Sequence, residues 1–173
     1  MKKIEKIDTK KITTLALLVS VAMILSYIES LIPPLVAVPG VKLGLSNIAT
    51  VFALYTLGAP AAVTVSLVRV ALSALLFGNF VSLIYSLSGA ALALAFMLLL
   101  RRIALFSSVG VSIAGGVAHN AGQIIAACIV MENGAISLYL PPLIISGTIA
   151  GIAVGVAAGI LVKKTEKYLK LKK

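Results

Sequence analysis

Arg69, His119, Asn120 and Gln123 lie inside long apolar stretches, where polar side chains need a reason to stay. An ionisable group at the centre of a bilayer costs roughly 2.5 kcal/mol or more, so by default it marks a functional site. An imidazole with two neighbouring amides supplies both donors and acceptors, which suits a polar ring or head group. The same set falls short of a metal centre, because one histidine without a nearby thiolate or carboxylate does not satisfy zinc. It also lacks the acid that would orient His119 in a hydrolase triad. The single cysteine, Cys128, allows no internal disulfide and reads as a packing residue.

Spacing groups these residues. Ser112, Gly116, His119, Asn120 and Gln123 follow one another at helical steps and are expected to form one stripe facing the interior of a bundle. Ser66, Arg69 and Ser73 repeat the pattern on another stretch, with Arg69 near its centre. No Asp or Glu is expected at the depth of Arg69. Its partner is therefore a backbone carbonyl, an Asn or Gln amide, an acid reaching in from the outer loops, or a bound anion. For His119 the alternative to ligand recognition is a hydrogen bond that fixes two helices.

The elements that position these residues are membrane helices. The chain is 61% hydrophobic and 12% charged, with a mean hydropathy of +1.15, outside the range of soluble domains. A hydrocarbon core about 30 Å thick takes about 20 helical residues to cross. Six spans are read: Ile12 to Ile32, Leu43 to Leu57, Ala61 to Phe77, Phe80 to Leu100, Ser108 to Met131 and Pro141 to Val162. Pro33 and Pro34 stop the first, Gly58 and Pro60 turn the chain into the third, and Gly78 with Asn79 turns it into the fourth. The second span is short, at about 23 Å. Glu132 to Leu140 reads as a partly apolar loop, because Pro141 and Pro142 suit a first helical turn. The fold class expected is an all-α integral membrane protein, a six-helix bundle over 12–162 in one domain, with basic tails over 1–11 and 163–173.

Charge sets the orientation. With both termini inside, every lysine and arginine except Lys42 and Arg69 falls on the cytoplasmic side, while Glu29 and Glu132 lie near the outer face. The net charge of +10 is gathered in tails flanking membrane helices, where anionic lipid head groups suffice and no nucleic acid is called for. The first apolar run is too long for a signal peptide and is read as a retained helix.

Packing is also written in the spacing. Gly147, Gly151, Gly155 and Gly159 recur every four residues, a flat face for close approach of a second helix in this chain or in a partner. Ala16 with Ser20, and Ala22 with Ser26, are weaker versions on the first span. The loop after that span, with Pro39 and Gly40, is placed to fold over a pocket from the outer side. Lys42 there faces either an anionic group or the lipid head groups.

These segments together resemble a known family. Pro39 through Asn47 (PGVKLGLSN), Arg69, Ser86-Leu87-Ser88-Gly89, Gly110-Val111-Ser112, His119 through Gln123 (HNAGQ), and Leu140-Pro141-Pro142-Leu143 with the glycine ladder look like the Gx transporter family, many of whose members are labelled heptaprenyl diphosphate synthase component I. The resemblance spans about Thr13 to Val162 and extends to the substrate-binding S components of energy-coupling factor transporters. It implies six helices, a pocket opening outward, and a first helix that docks a transmembrane coupling subunit served by ATPases. The candidate ligand-binding set is then Lys42, Asn47, Arg69, Ser88, Ser112, His119, Asn120 and Gln123. Ala16 and Ser20 stand where docking alanines are expected, and the serine departs from that pattern. Prenyl chain elongation is not expected, since such chemistry needs acidic residues to hold magnesium and the lone aspartate, Asp8, lies in the basic tail. The resemblance also implies an alternative, a subunit of flavin-based extracellular electron transfer in bacteria. There the pocket would hold a flavin or quinone and an extracytosolic redox partner would dock outside.

Overall fold

A computed structural model describes residues 9–31, 44–103 and 105–170, the last four by backbone alone. The order is α1 (Thr9–Ser30), α2 (Asn47–Thr56), α3 (Ala59–Phe77), α4 (Phe80–Arg101), α5 (Ser108–Val130), a 3-10 turn (Gly134–Tyr139) and α6 (Leu140–Lys170). There is no strand among the described residues. All the long helices, α1, α3, α4, α5 and the unit formed by the 3-10 turn with α6, are long and apolar enough to cross a membrane. Their outward faces carry bare hydrocarbon such as Leu75, Phe80, Ile129 and Ile149, a surface that belongs against lipid rather than water.

Local signals explain the boundaries. Asn79 caps α4 by accepting the Ser82 N–H at 2.8 Å, and Ser107 caps α5 by accepting the Gly110 N–H at 3.2 Å. Pro60 sits in the first turn of α3 after Gly58, whose φ of 94° suits a residue without a side chain. The short second span is shorter still than its hydropathy indicates. Gly44 takes φ 86°, and residues 44–46 form a turn closed by Asn47 N–H to the Gly44 carbonyl at 2.9 Å, so the helix starts at Asn47. At about 15 Å it crosses roughly half of a hydrocarbon core. Two further differences concern the outer loop and the basic tail. Residues expected as loop before Pro141 wind into the 3-10 turn, and α6 continues to Lys170 through the expected tail.

The short helix is the centre of one core. Val51, Ala53 and Leu54 of α2 are fully buried and pack with Ala22, Ala62, Val65, Met97, Val111 and Val154 from the helices around them. A helix apolar on every side is stable only when enclosed in this way. A second cluster, Tyr85, Ile124, Ala127, Ile136 and Leu143, joins α4, α5 and α6 beneath the 3-10 turn.

Candidate functional site

The bundle divides into two halves joined in different ways. In α1–α3 polar side-chain contacts join the helices in addition to the apolar core around α2. Glu29, in the last turn of α1, is buried and accepts the Gly44 N–H at the entrance to α2. Arg69 of α3 is 5% exposed, and its Nη2 donates to Asn47 Oδ1 at 3.5 Å. Ser73, one turn further along α3, donates to Met23 Sδ of α1 at 3.5 Å. Tyr27 and Phe77 pack beyond it with their rings tilted by 58° and centroids 5.7 Å apart.

Glu29 answers the question that Arg69 raises. No acid was expected at that depth, yet the buried Glu29 carboxylate accepts the N–H of Gly44, three residues before the Asn47 that accepts from Arg69. The physical reason is the shortness of α2: its N-terminus lies deep enough for Asn47 to meet Arg69 and for the adjoining Gly44 to meet Glu29. Sequence reasoning left Glu29 at the outer surface. The missed signal is its register, since Ala22, Ser26 and Glu29 follow at steps of four and three and all three are buried.

In α4–α6 the helices touch through glycine. A Cβ placed on Gly122 would stand 2.6 Å from the Ser88 carbonyl oxygen, and one on Gly89 would stand 2.8 Å from the His119 carbonyl oxygen. The α6 ladder meets α5 within the chain: Gly147 lies against Gly116 and Asn120, Gly151 against Ser112 and Ile113, Gly155 against Val109 and Ser112, and Gly159 against Ser108. The same packing separates residues expected on one stripe. His119 and Gln123 face α4 at Gly89, whereas Asn120 turns to α6 and donates to the Leu143 carbonyl at 2.7 Å. Consecutive helical residues point about 100° apart, so two closely packed neighbours on different sides divide them. Ser88 presents its backbone to Gly122 and is half-buried.

Between the halves lies a cavity of about 10 Å³, room for one water. Gly44, Asn47 and Val51 line it from the first half, and Met97, Ser112, Gly116 and Gly151 are among the residues lining it from the second. Among the described residues the buried Ser112 hydroxyl has no hydrogen-bond partner. Of the expected ligand set, Asn47 and Ser112 meet at this cavity and Asn47 links it to Arg69, whereas His119, Asn120, Gln123 and Ser88 occupy helix contacts. Lys42 falls outside the described residues. Ala16 and Ser20 are exposed on α1, with the Ser20 hydroxyl bonded back to the Ala16 carbonyl at 2.9 Å. Among the described residues no group of three or more His, Cys, Asp or Glu gathers to hold a metal.

This architecture has a solved counterpart. A structure described as the S component of a bacterial ECF transporter superposes with a TM-score of 0.66 at 21% sequence identity, covering 93% of this chain and 98% of that one. The chain itself belongs to the heptaprenyl diphosphate synthase component I family, whose model matches residues 18–161. No curated protein matches it.

Proposed function

We propose that this chain is an S-component-like protein of the bacterial cytoplasmic membrane that takes a small, partly polar ligand from the outer face and works with a transmembrane coupling subunit and its ATPases. The observation that carries this reading is the cavity shared by the two halves, where Asn47 and the partnerless Ser112 hydroxyl face a wall of glycines. Glycine walls leave backbone and space in place of side chains, and a buried hydroxyl without a partner is a vacancy for a ligand acceptor or donor. The similarity in fold to an S component supports the same reading.

In this reading Asn47, Arg69 and Ser112 contact the ligand. His119, Asn120, Gln123 and Ser88 hold the α4–α6 wall behind it. A space of about 10 Å³ admits one water, so ligand entry requires the Gly44–Asn47 junction to move away from α5 and α6. Ala16 and Ser20 form the small, flat face for the coupling subunit. The family's synthase label describes no chemistry that these residues perform, because the helices offer no acidic cluster for magnesium and diphosphate.

The test is extraction and mass spectrometry of whatever copurifies with the protein in nanodiscs. A small molecule retained by wild type and lost from Asn47→Ala and Ser112→Val, with helicity unchanged, is the expected result. Equal retention by both variants sinks the reading. A flavin or quinone in the extract would redirect it to electron transfer.

A further inference from the structure

The seam between α1, α2 and α3 holds several buried polar atoms without a hydrogen-bond partner among the described residues. Arg69 brings five N–H donors and no acceptor. Among the described residues its hydrogen-bond acceptor is Asn47 Oδ1, at the long distance of 3.5 Å, and its buried Nε has none. The buried hydroxyls of Ser26, Ser46 and Thr50 likewise have no hydrogen-bond partner among the described residues. Ser26 lies between Met23, which touches Ser73, and Glu29, which touches Gly44, so it faces this seam. Ser46 precedes Asn47 at the N-terminus of α2 and makes no capping bond there. That helix end adds positive partial charge to the same place.

Buried polar atoms are nearly always paired, and a group of them left open on three helices calls for a common partner. A guanidinium with a free edge, hydroxyl donors and a helix N-terminus all favour the same chemistry, a planar or tetrahedral oxyanion. Glu29 is the buried acid of the same junction, accepting the Gly44 N–H three residues before Asn47, and its charge opposes any incoming anion.

We infer that the Arg69 seam receives the oxyanion group of the ligand, a carboxylate or a phosphate, with Ser26, Ser46 and Thr50 as supporting donors and Glu29 as the internal competitor. This inference rests on the ligand-binding reading above and specifies its substrate class. Glu29 and Arg69 are then specificity residues with opposite signs. Glu29→Gln keeps an oxygen for the Gly44 N–H and removes the competing charge, so it strengthens oxyanion binding. Arg69→Gln removes the fork and abolishes it.

The experiment is thermal unfolding of the purified protein in nanodiscs of zwitterionic lipid, with inorganic phosphate, acetate or no added anion, and in parallel in nanodiscs containing an anionic lipid. Binding to the folded state raises the unfolding midpoint. The expected result is a midpoint rise with at least one oxyanion, an affinity about tenfold weaker or worse in Arg69→Gln, and several-fold tighter in Glu29→Gln. Misfolding cannot produce the gain in Glu29→Gln. Phosphate acting above acetate assigns a phosphate group and the reverse a carboxylate, while a rise with anionic lipid alone assigns the oxyanion to a lipid head group. The inference is overturned by no rise in any condition, by a rise indifferent to Arg69→Gln, or by loss in Glu29→Gln equal to that in Arg69→Gln. If it falls while a neutral compound still copurifies and depends on Asn47, the ligand-binding reading stands alone. If nothing copurifies either, both fall.

Discussion

The two halves of the bundle solve the same problem, holding apolar helices together without help from water, by opposite means. In α4–α6 backbone meets backbone: Gly122 against Ser88, Gly89 against His119, and the α6 ladder against α5. In α1–α3 the connections run through side chains, Glu29 to Gly44, Arg69 to Asn47 and Ser73 to Met23. Lipid is as apolar as leucine, so burial alone drives little association between helices in a membrane. Close packing and interhelical hydrogen bonds remain, and each half emphasises one of them. Glycine contacts have almost no slack, whereas a guanidinium exchanging partners can release a helix end. The rigid half therefore suits a wall and the polar half suits the part that moves, with the cavity between them.

The comparison is sharpened most by Gly151→Val. A Cβ there meets Ile113 Cα at 2.6 Å and the Ser112 carbonyl oxygen at 2.9 Å, backbone atoms that cannot step aside. A loss of more than about 3 kcal/mol is expected in reversible unfolding in mixed micelles, read by helicity. Arg69→Ala comes next, at about 3 kcal/mol in the same assay, because it removes a buried cation that is hydrogen-bonded to Asn47 from a polar seam that also holds the buried Glu29 carboxylate. Adding Glu29→Gln should restore part of that loss. A double mutant no better than the single would break the account of the polar half.

Asn120→Ala removes a short side-chain bond of the glycine half, the one from Asn120 to the Leu143 carbonyl at 2.7 Å. A cost of about 1 to 2 kcal/mol is expected from unfolding midpoints. The smallest effect belongs to Gly159→Ala, whose Cβ would meet the rotatable Ser108 Oγ at 3.3 Å. It should stay within about 0.5 kcal/mol of wild type. A ladder whose four glycines all respond alike would show that α6 is held by something other than the graded backbone contact described here.

Legibility in the sequence followed the range of the interactions. Arg69 was recognisable as a buried residue needing acceptors because hydropathy is a local property, and the same holds for the helix borders at Asn79, Ser107 and Gly58, where caps and breakers act within a few residues. The burial of Glu29 was not legible because it depends on where α2 begins, and that was decided by the left-handed turn at Gly44. His119, Asn120 and Gln123 are all buried, as a stripe facing the bundle interior requires, but which helix meets each of them was not legible for a related reason. Their periodicity is real, but α4 and α6 approach α5 from different sides and divide the stripe between them.

By itself the sequence determined the membrane class, the order of the helices, the all-α fold and the presence of polar groups in their interior, since each follows from transfer energies and backbone preferences summed along short segments. Tertiary structure alone decided which groups meet: Asn47 with Arg69, Glu29 with the entrance of α2, the glycine ladder with α5, and Ser112 with the cavity. Helix rotation and depth are set by all neighbours at once, and no local pattern contains them.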